Sequence, residues 1–204
     1  MPNLFFILGG ARSGKSDYAL DLARRLAGAG PVLFMATAQA GDDEMARRIA
    51  RHRSERPSHW QTVEAGLRVG RAWQAHVRAV PPQAHPRVAV LDCLTLLVSN
   101  QLFAGDADAE NDPESLFQQR VTQEIDKLLA AQAALATPLI VVSNEVGLGI
   151  VPAGRIGRLY RDLLGRANRR LAAAADHAFF MLAGIPLDLK RWQAEFPAGW
   201  GEQP

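Results

Sequence analysis

The sequence of 204 residues contains one cysteine, Cys93. A lone thiol forms no intramolecular disulfide, so an oxidised, stapled scaffold and a cysteine-based zinc site are both excluded. Aromatic residues are scarce, at 7%, and none interleaves with the arginines of 47–56 as stacking platforms for nucleic acid would require. A formal charge of +2 is too small to draw nucleic acid by itself. No run approaches the ~20 apolar residues that span a bilayer. The opening "MPNLFFILGG" is short, lacks a basic leader and runs into glycines, so it reads as a first strand rather than a signal peptide. Lysine is also rare: of 23 basic side chains only Lys15, Lys127 and Lys190 are lysines, and arginine suits planar recognition of phosphates. The remaining balance, 48% hydrophobic and 22% charged, is that of a globular chain. It predicts a soluble, cytoplasmic protein with no membrane span and no nucleic-acid partner. One domain is expected over residues 1–190, with an irregular tail at 191–204.

Short apolar runs without alternation occur at Leu4–Leu8, Pro31–Thr37, Arg87–Asp92, Pro138–Asn144 and His177–Ala183. Such runs suit strands buried on both faces of a parallel sheet. A weaker strand is expected at Trp60–Ala65 and an edge strand at Pro186–Lys190. Between them lie helical patterns: Tyr18, Leu22 and Leu26 within Lys15–Leu26, a helix capped by Asp112 with Pro113 in its first turn, and a long helix lined by Ile156, Leu159, Leu163, Ala167 and Leu171. The alternation predicts an α/β fold of P-loop NTPase type: a doubly wound, mostly parallel sheet flanked by helices in three layers.

The first chemical motif is "GGARSGKS", made of Gly9, Gly10, Ala11, Arg12, Ser13, Gly14, Lys15 and Ser16. It fits G-x-x-x-x-G-K-S, follows an apolar strand and opens an amphipathic helix, as the motif requires. The glycines let backbone N–H groups converge on phosphate oxygens, and the helix starting at Lys15 directs its positive end to the same place. Lys15 would reach the β- and γ-phosphates, and the Ser16 hydroxyl would coordinate Mg²⁺. A second metal-holding group is expected at a neighbouring strand end. "RVAVLDCL" offers Asp92, which would serve equally as the cap of the following helix. Cys93 reads as a small buried filler. "VVSNEVGLGIVP" brings Asn144 and Glu145 to the same carboxyl edge, where open α/β sheets bind ligands; a glycine-rich turn is the alternative reading.

A charged helix should run from Asp42 to Arg56, ending before Pro57. Met45, Ile49 and His52 then share one face, turned away from open solvent. Arg47, Arg48, Arg51, Arg53 and Arg56 surround His52 with positive charge, which lowers an imidazole pKa and keeps a nitrogen lone pair available. A neutral imidazole beside an α-phosphate is a competent nucleophile. A half-buried, hydrogen-bonded histidine with no chemical role satisfies the same pattern, and His59 beside Trp60 reads as structural.

Five blocks, "GGARSGKS", "ATAQAGDDEMARRIARHRSERPSHWQTVEA", "LDCLTLLVSN", "SNEVGLGIVP" and "GRANRRLAAAAD", resemble the bifunctional adenosylcobinamide kinase/adenosylcobinamide-phosphate guanylyltransferase family of cobalamin biosynthesis. The resemblance runs from about Leu4 to Lys190, and the second block is far more particular than the P-loop. It implies phosphorylation of adenosylcobinamide by ATP or GTP, then transfer of GMP from GTP to adenosylcobinamide phosphate. It further implies that His52 carries GMP covalently. Nucleotide contacts carry over to the loop Gly9–Ser16, to Ala36, Thr37 and Ala38, to Arg53, Ser54, Glu55 and Arg56, and to Glu64 and Asp92, with Mg²⁺ at Ser16 and Asp92. Some members have a histidine directly before the nucleophile; here that position is Arg51. The family also implies a homotrimer. Two rival readings are a plain small-molecule P-loop kinase with a structural His52, and a nucleotide-dependent switch protein that transfers nothing.

Overall fold

The computed structural model describes residues 3–39, 43–54 and 56–194; the side chains at 45, 48, 51 and 52 also lie outside the described set. Seven strands join in one sheet: β1 (Leu4–Gly9), β2 (Val32–Ala36), β3 (Gln61–Glu64), β4 (Val88–Asp92), β5 (Leu139–Asn144), β6 (His177–Leu182) and β7 (Ile185–Asp188). Their order is β3-β2-β4-β5-β1-β6-β7. All neighbours run parallel except β6 and β7. The two weakest strand expectations, at 60–65 and 186–190, thus occupy the two edges.

Alternate residues of β1, β2, β4 and β5 enter two separate cores, because successive side chains point to opposite faces. Phe6, Leu33, Met35, Leu91 and Val141 meet helices α3 (Val69–Ala79), α4 (Leu94–Leu102), α5 (Glu114–Leu135) and α6 (Arg155–Ala174). Phe5, Ile7, Phe34, Val90 and Ile140 meet α1 (Lys15–Ala27), which supplies Ala19, Leu20, Ala23 and Ala27. Both faces being covered explains why the strands read as continuous apolar runs. The remaining helix, α2 (Asp43–Ser54), carries the arginines, and none of its described side chains belongs to either core.

Two expectations need adjustment. Helix α5 begins at Glu114 with Pro113 as its N-cap residue. Asp112 is not the cap, because its carboxylate instead accepts the Asp108 backbone N–H and closes the loop in front of the helix. Helix α2 ends at Ser54, two residues short of the predicted Arg56, and its expected start at Asp42 lies outside the described residues.

Helix α3 has no side-chain cap of its own. Instead Glu124, buried on α5, accepts hydrogen bonds from the Val69 and Gly70 backbone N–H groups, while its Oε1 has no hydrogen-bond partner among the described residues. Burial raises the Glu124 pKa above the ordinary glutamate value, and those two bonds only partly oppose it. A carboxyl whose folded-state pKa is raised stabilises the fold below its unfolded value and loses that contribution as pH climbs through the folded one. The stability of the protein relative to its Glu124→Gln variant should therefore decline from acid pH to neutrality. Denaturant midpoints across that range measure it, and a difference that stays flat with pH would contradict the assignment.

Candidate active site

Strand β1 ends at Gly9, between the ends of β5 and β6. A β-carbon on Gly9 would lie 2.6 Å from the Met181 carbonyl oxygen and 2.8 Å from Ser13 Oγ, so only glycine permits this approach. The chain then turns through Arg12 and Gly14, both at positive φ, and α1 starts at Lys15. Gly14 precedes the helix in the left-handed region at φ 87°, where glycine carries no steric cost. The loop thus exposes backbone N–H groups at a helix N-terminus, an arrangement that binds phosphate. Lys15 is buried, and its ammonium donates to the Gly10 carbonyl and lies 3.4 Å from Ser13 Oγ. Burial lowers its pKa, opposed by the neighbouring Cys93 and Asp92. Burial, reinforced by Asp92, pushes the Cys93 thiol up to about 11. Cys93 is then a neutral filler near neutrality.

Asp92 ends β4 in register with Ala36 of β2 and Val142 of β5. The Asp92–Cys93 peptide is cis. Thr37 fastens this corner: its N–H donates to the Asp92 carbonyl, and its hydroxyl both donates to the Cys93 carbonyl and accepts the Cys93 N–H, each at 2.8 Å. Thr37 is fully buried, so its polar groups serve the strand ends. Asn100 on α4 ties this corner to the next strand end, donating to the carbonyls of Thr37 and Gly66.

Beyond β2 lies a cavity of about 340 Å³ lined by Ala36, Ala38, Ile49, Arg53, Arg56 and Glu64, among others. The Arg56 guanidinium stands over the Phe34 ring at 4.1 Å and donates to the Thr62 hydroxyl. Burial and nearby Arg53 lower its pKa, while Asp92 and Glu64 oppose them. Asp92 acts electrostatically on both Lys15 and Arg56, and it stands in register with Ala36, which lines the cavity. Position 52 lies on α2 between the cavity-lining Ile49 and Arg53. The predicted face shared by Met45, Ile49 and His52 involves two side chains outside the described set, as does Glu55 entirely. Ser54 is exposed at the end of α2.

Asn144 and Glu145 sit at the same sheet edge. The Glu145 N–H donates to the Gly9 carbonyl at 3.0 Å, and Asn144 is bracketed by Thr95 and Asn168. Sequence reasoning missed the β6–β7 turn, where the Gly184 N–H donates to the Ser13 carbonyl and braces the phosphate loop. The Ala183–Gly184 pair, both at positive φ, was the available signal for that hairpin. It also missed Thr37 and Asn100 as structural ties, for which no local signal exists.

Among the described residues, no group of three or more His, Cys, Asp or Glu side chains gathers as a metal cage. A hydroxyl at Ser16 and a carboxylate at Asp92 nevertheless suit Mg²⁺, a hard ion commonly bound through one or two protein oxygens together with phosphates and water. No described helix is long and apolar enough to cross a membrane.

Comparison with known proteins shows the family. Residues 5–189 match the family described as cobinamide kinase / cobinamide phosphate guanyltransferase. The bifunctional adenosylcobalamin biosynthesis protein CobU of Escherichia coli (strain K12) is 40% identical over 190 residues, covering 92% of this chain and 99% of that protein. The bifunctional adenosylcobalamin biosynthesis protein CobP of Pseudomonas aeruginosa PAO1 is 41% identical over 184 residues, covering 90% and 95%. A solved ATPase domain shares the fold at 18% identity, with a TM-score of 0.51 over 87% of this chain and 68% of that one. The chain belongs to the cobinamide kinase / cobinamide phosphate guanyltransferase family.

Proposed function

We propose that the protein phosphorylates the hydroxyl of adenosylcobinamide with ATP or GTP, and then transfers GMP from GTP to the resulting phosphate. The products are adenosylcobinamide-GDP and pyrophosphate. The observation that carries this reading is the single sheet edge shared by a phosphate loop and an arginine-lined cavity, with the cavity-lining Ala36 in register with Asp92 of the neighbouring strand. Family membership supplies the substrates.

In the kinase step the loop N–H groups and Lys15 hold the triphosphate and offset charge developing on the transferring group, the main catalytic contribution in such reactions. Ser16 and Asp92 would hold Mg²⁺, which when bound neutralises charge on the β- and γ-phosphate oxygens. In the guanylyl step a ring nitrogen of His52 attacks the α-phosphorus of GTP; the N–P bond forms and pyrophosphate leaves. A phosphate oxygen of adenosylcobinamide phosphate then attacks the same phosphorus and the imidazole leaves. Arg53 and Arg56 counter the negative charge gathered beside α2, and Glu64 with Ala36 and Ala38 completes the nucleotide's surroundings. A cytoplasmic homotrimer belongs to the same proposal on the strength of the family.

Incubation with α-labelled GTP and Mg²⁺ tests the covalent step. The expected label is acid-labile and base-stable, as a phosphoramidate is, and maps to the peptide containing His52. Phosphorylation of adenosylcobinamide with no label formed would reduce the protein to a simple kinase.

A further inference from the structure

Between β5 and α6 the chain runs through "EVGLGIVPAG", residues 145–154, part of which the proposed chemistry leaves unused. Its middle is apolar and turned to water: Leu148 is 83% exposed, Ile150 97% and Val151 58%. Ile150 is the most exposed large hydrophobic residue among those described. Adjacent exposed apolar side chains of this size mark a place where something apolar binds.

The segment is anchored at both ends and not in the middle. At one end the Glu145 N–H is bonded to Gly9, and the Glu145 carboxylate folds back onto the Gly147 N–H. At the other, Arg155 donates to the carbonyls of Ala109 and Asp112, and Arg158 to those of Pro152 and Ala153. Polar anchors hold the stem while the apolar crest stands clear. Leu148 is three residues from Glu145, no more than about 11 Å of chain, and Glu145 is bonded to the first residue of the phosphate loop. The start of the crest is therefore tethered within that reach of the phosphate loop's first residue.

We propose that Leu148, Ile150 and Val151 form the docking edge for the acceptor, a large amphipathic corrinoid macrocycle whose apolar rim rests on this crest while its hydroxyl points at the phosphate loop. This deepens the function proposed above and rests on it. Continuity with the phosphate loop selects this occupant.

The test is the double variant Leu148→Ser/Ile150→Ser, with Leu148→Met/Ile150→Val as its apolar control. Both positions are exposed, so neither change disturbs a core. The serine variant should raise the KM for adenosylcobinamide, and its Kd by equilibrium dialysis, at least about 10-fold. Covalent labelling by α-labelled GTP, which needs no acceptor, should proceed at the normal rate, and the sedimentation coefficient should not change. The apolar control should keep the normal KM. An unchanged KM would overturn the proposal. So would a parallel loss of labelling, which would assign the crest to the nucleotide, or a change in sedimentation, which would assign it to contact between copies. Failure of the unaltered protein to turn over adenosylcobinamide at all would instead remove the functional reading, and this inference with it.

Discussion

Replacing His52 with alanine should abolish covalent labelling by GTP and slow guanylyl transfer by at least about 10⁴-fold, the scale of losing a nucleophile from a two-displacement mechanism. Phosphorylation of adenosylcobinamide should stay within about threefold of normal, because Lys15 and the glycine loop act on the γ-phosphate without help from α2. The split is the informative part. A histidine that merely supported α2 would lower guanylyl transfer and labelling only in part, through displacement of Arg53, which lines the same cavity as Arg56 and Glu64. Direct attack of the acceptor phosphate on GTP would leave both activities intact. Parallel assays of the two half-reactions, with labelling as a third readout, separate these cases. Full guanylyltransferase turnover by the variant would remove His52 from the mechanism.

Legibility in the sequence followed the range of the interactions involved. Strands β1, β2, β4 and β5 were readable because burial on both faces makes nearly every residue apolar, and β6 because it carries a similar apolar run. The phosphate loop was readable because its requirements are local: Gly9 for close approach to Met181, Gly14 for its positive φ, Lys15 at the helix start. Helix α3 escaped notice although Val69 and Trp73 are i, i+4 partners. Its first turn contains Gly70, a helix-weakening residue, and its cap comes from Glu124, more than fifty positions away in the chain. Gly70 itself answers to α5, since a β-carbon there would sit 2.6 Å from the Lys127 carbonyl oxygen. Strand order was equally out of reach. That β4 lies between β2 and β5, which sets Asp92 in register with both Ala36 and Val142, follows from packing of the whole sheet. Sequence could name Asp92 as an acidic strand end, but not its place between the cavity strand and the strand beside β1.

The second large effect belongs to Lys15. Lys15→Ala should lower both phosphorylation of adenosylcobinamide and guanylyl transfer by about 10³-fold, the scale of removing one preorganised charge-stabilising donor. Labelling of His52 should fall in step with them. The variant should still fold, because burial disfavours the ammonium it removes and the glycine loop keeps its brace from Gly184. Lys15→Arg should not rescue either activity. The Lys15 ammonium fits a buried niche against Gly10 and Ser13, and a planar guanidinium is not a substitute for a compact point charge. The comparison of the two half-reactions decides how many nucleotide sites the protein has. If one triphosphate cradle serves both, their losses match within the error of the assays. If the kinase reaction collapses while His52 is labelled at the normal rate, GTP for the guanylyl step must be seated in the arginine-lined cavity by itself. Arg53 and Arg56 would then take over the work here assigned to Lys15.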